Sequence, residues 1–402
     1  MSHPSLLADA WKGFRIQRIE TPTESTLQVI LEPDPQVLPR CRCCGEPCAL
    51  THDRHWRRVR DRDLLDRHLT LELPIRRVEC LACGHKGVER LEWLSPHQRI
   101  TRRLAAWVEA LAQLLPIRHV CQLTGLHWHT VKSIDKRRLA DRHGGFDASG
   151  VTRLVMDEFA LHKGHRYATV VMDAESQRVL WVGEGNSRAA IRPFFEQLGG
   201  QCRHIEAVAM DMNTAFDLEV RQHCPRAEVV YDLFHVVARF GRDVVDRVRI
   251  DQANALRHDR PARRVIKRSR WLLLRHRDNL STDQEARLEE LLGANRPLAT
   301  VYLLKTLLRE IWYAPSVWEG YRRWRYWYRL CQESDLPAAV RFAKRLKAYL
   351  RGILASAKYR LHTSVLEGVN NKIKVIKRMA YGFRDTEYFF LKIKDAFPGK
   401  AR

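Results

Sequence analysis

Three acidic residues stand where the pattern of the chain would present them to a reaction. Arg153, Leu154, Val155, Met156 and Asp157 form an apolar run that ends on a carboxylate, which predicts a buried strand delivering Asp157 at its tip. Residues 205–211 repeat the arrangement and end on Asp211. Glu367 opens a helical stretch in which Asn370, Asn371, Lys374 and Arg378 follow it at helical spacing. This polar, increasingly basic face lies beside an apolar stripe of Leu366, Val369, Ile373 and Ile376. Three carboxylates drawn together repel one another unless cations sit between them, and hard cations such as Mg²⁺ or Mn²⁺ take oxygen ligands of this kind. Two such ions about 3.5–4 Å apart can activate an attacking oxygen and stabilise a leaving one. The chemistry implied is metal-dependent phosphodiester cleavage or transfer. Each acid also has a plainer reading. An aspartate at a strand end commonly forms a turn, and Ser364 with Glu367 also fits a capping box. Glu158 is a poor substitute for Asp157, because adjacent strand residues face opposite ways; Asp173, Asp217 and Asp232 remain as competing acids.

A second group of residues suggests a different metal. Cys41 and Cys44, each pair followed by glycine, are matched downstream by Cys80 and Cys83. The glycines, Gly45 and Gly84, let the backbone turn tightly while four sulfurs close a tetrahedron around one structural Zn²⁺. Cys43 and Cys48 could replace one of the four, and buried free thiols are the alternative. With 10 cysteines in 402 residues, a disulfide scaffold is excluded and a reducing compartment is expected.

The elements that must position these groups fall into an order. An alternating stretch over residues 26–31, and another over 68–75, predict strands in the cysteine region. Between the knuckles, residues 54–62 carry arginines around Trp56, which suits either a phosphate-contacting surface or a solvated charge run. From Thr101 the period becomes helical: Leu104, Trp107, Val108, Leu111 and Leu115 share a face, and Pro116 stops it. A short helix (117–123), Gly125, and a basic helix (128–139) complete a helix-turn-helix pattern. Lys132, Lys136 and Arg137 on the last helix are its candidate DNA contacts; a plain three-helix bundle has the same pattern. Strands over 153–159, 165–173 and 178–183 follow. Then come a helix capped by Ser187, a strand ending on Asp211, a helix over 214–223 and a strand over 227–232. That is the element order of a ribonuclease-H-like fold, in which the first and fourth strands lie side by side and bring Asp157 beside Asp211.

Residues 234–359 are predicted to be helical throughout. Trp271, Trp312, Trp318, Trp324 and Trp327 fall here, several beside arginine. Such residues can stack on exposed bases or build a helical core with arginines reaching to solvent. The net charge of +23, spread along the chain, favours a polyanionic partner. No apolar run reaches membrane-spanning length, about 18 residues, so a cytoplasmic, nucleoid-associated protein is expected.

Asp157, Glu158 and Phe159, followed by Lys163 to Val171, then Asp211 and Met212, then Asp232 with His235, and finally Glu367 to Arg378 with Tyr381 and Gly382, resemble the ISL-three-type insertion-sequence transposases. The resemblance extends to the zinc knuckles and the helix-turn-helix. It implies a DDE transposase that binds the terminal inverted repeats of its element, cuts at the ends and joins them to target double-stranded DNA as a dimer or higher oligomer. It assigns Asp157, Asp211 and Glu367 as ligands of two Mg²⁺ (or Mn²⁺) ions. It also assigns His235, paired with Asp232, to the scissile phosphate or to holding the site together. Lys374 and Arg378 are further candidate DNA contacts. The expected architecture is multidomain: a zinc-binding DNA-recognition domain (1–98), a helix-turn-helix (99–146), an α/β ribonuclease-H-like catalytic domain (150–233 and 360–402) and a large all-α insertion (234–359). The competing readings are a non-catalytic zinc and helix-turn-helix DNA-binding protein, such as a domesticated repressor, and a nuclease that cuts without joining.

Overall fold

The computed structural model describes residues 10–162, 164, 166–361 and 364–400, with the side chains of 364–367 outside that description. The chain divides into two compact units, Met1–Gly144 with Met379–Gly382, and Gly145–Arg378 with Phe383–Arg402.

In the first unit, β1 (Phe14–Thr23) and β2 (Thr26–Pro33) form an antiparallel hairpin. β3 (Leu50–Arg60), β4 (His68–Glu79) and β5 (Lys86–Val88) complete a sheet ordered β1-β2-β4-β3, with β5 also on β4. The expected strand over 68–75 is present and longer: its alternation of Leu69, Leu71, Leu73 and Ile75 faces a core with Trp11 and Leu31. The basic stretch 54–62 overlaps β3, an edge strand exposed from Leu50 to Trp56. It lacks apolar alternation because neither face of that segment is covered, so periodicity alone did not reveal a strand.

The helical triplet follows as α1 (Arg102–Leu114), α2 (Ile117–Thr124) and α3 (Trp128–His143). Thr101 caps α1 by accepting from the Leu104 amide, and Leu104, Val108, Val120 and Val131 share its core. Trp107 is not in that core. It is 39% exposed and lies under the Arg62 guanidinium, 4.4 Å from the ring centre, a cation–π contact that partly covers it. Gly125 ends α2 at φ +64°, and a Cβ there would come within 2.9 Å of the His68 imidazole. The turn therefore requires glycine both for its conformation and for space.

The second unit is built on β6 (Arg153–His162), β7 (Arg166–Asp173), β8 (Val179–Glu184), β9 (Ala207–Met210) and β10 (Glu228–Tyr231). The order is β10-β9-β6-β7-β8. β6, β7 and β8 run antiparallel in sequence, whereas β9 lies parallel to both β6 and β10. The first and fourth strands of this sheet are thus neighbours.

Helices cover both faces. On one face Leu154, Met156, Val208 and Met210 pack with Phe194 of α4 (Arg188–Leu198) and Phe216 of α5 (Thr214–His223). Ser187 caps α4 as expected, accepting from the Ala190 amide. After α6 (Leu233–Phe240) the chain is helical, through α7 (Asp246–Ala255), α8 (Arg260–Arg268), α9 (Arg270–Leu274), α10 (Thr282–Ala294), α11 (Arg296–Trp312), α12 (Val317–Gln332), α13 (Pro337–Leu346) and α14 (Leu350–Tyr359). The opposite sheet face is covered by α15 (Ser364–Met379) and α16 (Thr386–Ala396). There Val369, Ile373, Phe389 and Ile393 pack against Val155, Phe159, Ala207 and Ala209. No described helix is long and apolar enough to cross a membrane.

Candidate active site

Strand register brings the two aspartates together. Arg153 pairs with Ala207, Leu154 with Val208 and Val155 with Ala209; continuing that parallel register by two residues sets Asp157 level with Asp211. Alternation also gives them one face. Val155 precedes Asp157 by two positions and Ala209 precedes Asp211 by two, and both belong to the core beneath α15.

Each carboxylate is held by local hydrogen bonds. Asp157 accepts from the Glu158 amide at 2.8 Å through Oδ1 and from Asn370 Nδ2 of α15 at 2.7 Å through Oδ2. Asp211 accepts from the Asn213 amide at 3.0 Å, and Asn213 caps α5 in turn. Burial pushes the Asp157 carboxyl up to about 6, the charge of Asp211 adding to the rise while the Glu158 amide and the charge of His235 oppose it. Burial also raises Asp211, against the opposing charge of His235 and with the help of Glu158. Burial disfavours the charged form in low dielectric, so both acids lie where a cation would be welcome.

His235 lies close enough for its charge state to bear on both aspartates. Asp232 caps α6 by accepting from the Phe234 amide at 3.1 Å with Oδ1, and its Oδ2 meets His235 Nδ1 at 2.9 Å. That hydrogen bond raises the imidazole's pKa, and Asp157 and Asp211 raise it further. Asp232 therefore holds and orients the His235 ring. The other competing acids serve elsewhere: Asp173 closes the turn after β7 with Ser176, and Asp217 pairs with Arg221 and the Tyr231 hydroxyl.

Asn370 was missed from sequence, and Glu158 lies on the opposite side of the strand as expected but still acts on the site. Asn370 stood on the polar face of the Glu367 helix, but its spacing gave no sign that it would reach Asp157. Glu158 belongs to the opposite side of β6, where Asn186 Nδ2 holds it at 2.6 Å, yet its charge is felt at Asp211. The side chain of Glu367, together with its capping-box alternative through Ser364, lies outside the described residues. The backbone of Glu367 belongs to α15, one helical turn before Asn370.

The surroundings fit a divalent cation. Asn370 Oδ1 is buried without a hydrogen-bond donor, leaving an unsatisfied oxygen on the side chain that already contacts Asp157. Oxygen donors beside two carboxylates of raised pKa make the donor set that a hard cation takes.

The thiolate site is more complete. The sulfurs of Cys41, Cys44, Cys80 and Cys83 all lie within 4.8 Å of one another. Cys41 and Cys83 are 3.7 Å apart and Cys44 and Cys80 3.5 Å, near the ~3.8 Å edge of a tetrahedron with Zn–S bonds of about 2.3 Å. The two knuckles repeat one geometry. Gly45 and Gly84 have φ of +82° and +71° and donate to the carbonyls of Cys41 and Cys80. The amide of Cys44 holds the Cys41 thiol down to about 6 and that of Cys83 lowers Cys80, while burial and the neighbouring sulfurs push Cys44 and Cys83 up. The first two are therefore the thiols most ready to ionise, and the crowding of all four favours a cation between them. Cys43 is exposed and Cys48 buried; neither belongs to the four-sulfur group among the described residues.

The proposed DNA contacts are accessible to different degrees. On α3, Arg137 is exposed, while Lys132 and Lys136 are partly covered; the Lys132 ammonium lies 5.4 Å from the ring centre of Trp128. Lys374 and Arg378 on α15 are exposed.

A parallel strand pair carrying two acids, preceded in the chain by three helices of helix-turn-helix pattern and a four-thiolate knuckle, is the combination expected of a DNA-processing protein. Comparison with known families makes this specific. Residues 154–393 match the family model described as "Transposase", of the ISL3 type, and residues 89–139 match the "Helix-turn-helix domain of transposase family ISL3". The chain is 51% identical over 395 residues to the transposase for insertion sequence element IS1001 of Bordetella parapertussis, covering 98% of this chain and 97% of that protein. It is 30% identical over 387 residues to the transposase for insertion sequence element IS1557 of Mycobacterium tuberculosis, covering 89% and 85%. This chain belongs to the ISL3 family of insertion-sequence transposases.

Proposed function

We propose that the protein binds the terminal inverted repeats of its insertion sequence and catalyses metal-dependent cleavage and strand transfer through Asp157, Asp211 and Glu367. The observation that carries this is the placement of Asp157 level with Asp211 on parallel strands, beneath the helix that contains Glu367. The strand order β10-β9-β6-β7-β8 supports reading residues 150–233 and 360–402 as a ribonuclease-H-like catalytic domain interrupted by the helical insertion 234–359. Residues 1–98, around one structural Zn²⁺, and the helix-turn-helix of 99–146 recognise the ends. Lys132, Lys136 and Arg137 face the duplex from α3, and Lys374 and Arg378 from α15.

Two Mg²⁺ or Mn²⁺ ions, when bound, supply activation of the attacking oxygen and neutralisation of charge on the phosphate. The chain's own residues build the place for them. Register holds Asp157 and Asp211 together, Asn370 fixes one oxygen of Asp157, and the Glu158 amide fixes the other. His235, its charge sustained by Asp232, offers Nε2 to a phosphate oxygen, where a cationic donor is favoured as negative charge develops. Synapsis of two ends implies a dimer or higher oligomer.

Incubating the purified protein with its element ends and Mg²⁺, and reading both nicks and joined products, tests this function. Joined products are expected. Binding without nicking would support the repressor reading, and nicking without joining the nuclease reading.

A further inference from the structure

Helix α12 carries two stripes with the same spacing and opposite fates. Gly320, Trp324, Trp327 and Cys331 are buried, and the Trp327 indole donates to the Leu304 carbonyl at 2.9 Å. Two positions earlier in the turn, Trp318, Arg322, Arg325 and Arg329 repeat the same i, i+4, i+7, i+11 pattern and stay exposed. The tryptophan and arginine content of this stretch is therefore only half accounted for by the core. The exposed half lines a cavity of about 680 Å³ with Tyr326 and Lys347.

Its lining has a consistent chemistry. Trp318 is 70% exposed and Tyr326 48%, a large aromatic area left in water. Guanidinium groups flank these rings: Arg322 lies 5.7 Å from the centre of Trp318 and Arg329 5.7 Å from that of Tyr326. Glu319 is engaged with Arg322 and Arg323. No carboxylate lines the cavity, and among the described residues none pairs with Arg325, Arg329 or Lys347. Exposed aromatic rings, each shared with a guanidinium, beside Arg325, Arg329 and Lys347 that no carboxylate among the described residues neutralises match a ligand that is planar, apolar on its faces and anionic along its chain.

We infer that the α12 groove binds single-stranded DNA, with unstacked bases on Trp318 and Tyr326 and phosphates on Arg325, Arg329 and Lys347. A duplex keeps its base faces stacked internally and offers phosphates and base edges; only a strand with bases turned out can use the rings. The reading of the protein as a transposase supplies the natural source of such a strand, a frayed or cut element end. The binding itself needs neither the carboxylates nor a divalent cation.

The test uses the full chain in chelator, with fluorescence anisotropy of a labelled oligothymidine, an equal-length abasic oligomer and a duplex. Trp318→Ala is expected to weaken oligothymidine binding about tenfold, as when a stacked aromatic is removed. It should leave abasic and duplex binding within about twofold, and Trp318→Phe should recover part of the loss. Arg325→Ala is expected to weaken both single strands and to reduce the salt dependence. Trp318 is exposed, so its loss should leave thermal stability nearly unchanged. Abasic and thymidine oligomers binding the wild type equally would overturn the inference, as would equal loss of duplex and single-strand binding in Trp318→Ala, or displacement of oligothymidine by polyglutamate as readily as by unlabelled DNA. Asp157→Asn should bind oligothymidine normally, which separates failure here from failure of the catalytic assignment.

Discussion

Asn370 Nδ2 donates to Asp157 Oδ2 at 2.7 Å, joining β6 to a helix that begins more than two hundred positions later. The contact fixes the rotation of α15 over the sheet. It does so from one helical turn beyond the backbone of Glu367, so a proposed role for that residue beside Asp157 and Asp211 would depend on a neutral amide.

Asn370→Ala should therefore act as a positioning change. Cleavage of element ends should fall about tenfold or more, because small displacements of a catalytic group are costly, while end binding stays near wild type. Raised Mn²⁺ should recover part of the rate if the loss is in cation affinity. Unchanged cleavage would show that α15 needs no such tether.

The Asp157 carboxyl, normally near 3.8, is raised to about 6 by burial. A raised folded-state pKa means that the native state holds the proton more tightly. Its stabilising contribution is full below about pH 4 and is lost as pH rises through about 6. Chelated protein should accordingly be more stable as Asp157→Asn than as wild type at pH 7.5, by up to about 3 kcal/mol, and the difference should vanish near pH 4. Divalent cations should raise the wild-type melting temperature at pH 7.5 and raise that of the variant less. Thermal scans against pH check both signs.

Cys41→Ser with Cys80→Ser removes two of four thiolates and should abolish the structural metal. Metal analysis should fall from about one zinc per chain to none, since a tetrahedral site is seldom held by two ligands. Specific end binding should be lost while weak, salt-sensitive DNA binding persists. A zinc-free wild type would contradict the assignment.

Asp61 is fully buried and accepts from the Trp11 indole at 2.8 Å and from Arg103 Nε at 2.7 Å, with Thr101 donating as well. Burial opposes its charge, but these donors outweigh it and keep the carboxyl below its usual range. Asp61→Ala would leave a guanidinium and an indole without their acceptor. It should destabilise the N-terminal unit by about 3–5 kcal/mol, with end recognition reduced accordingly. A melting temperature near wild type would refute this role.

Much of this architecture was legible because it rests on periodicity. The runs ending at Asp157 and Asp211, the stripe of Val369, Ile373 and Ile376 and the paired cysteines all announce themselves through spacing. Asp61 did not, because it sits in an arginine-rich stretch whose meaning depends on Trp11 and Arg103, distant in the chain. β3 was hidden because its first part, Leu50 to Trp56, is exposed on both faces and has no apolar rhythm. The split of the tryptophans on α12 needed the fold, since both stripes have helical spacing and only packing tells which is covered. His235 was named only through the family resemblance, and Asn370 reaches Asp157 through a tertiary placement that no local pattern records.

The proposed activity depends on one carboxylate set, tested most directly by Mg²⁺-dependent nicking and joining of element ends by Asp157→Asn, Asp211→Asn and Glu367→Gln, each assayed beside end binding. All three should bind the ends nearly as the wild type does and show neither nicks nor joined products. Retention of cutting by any one of them would contradict the shared site.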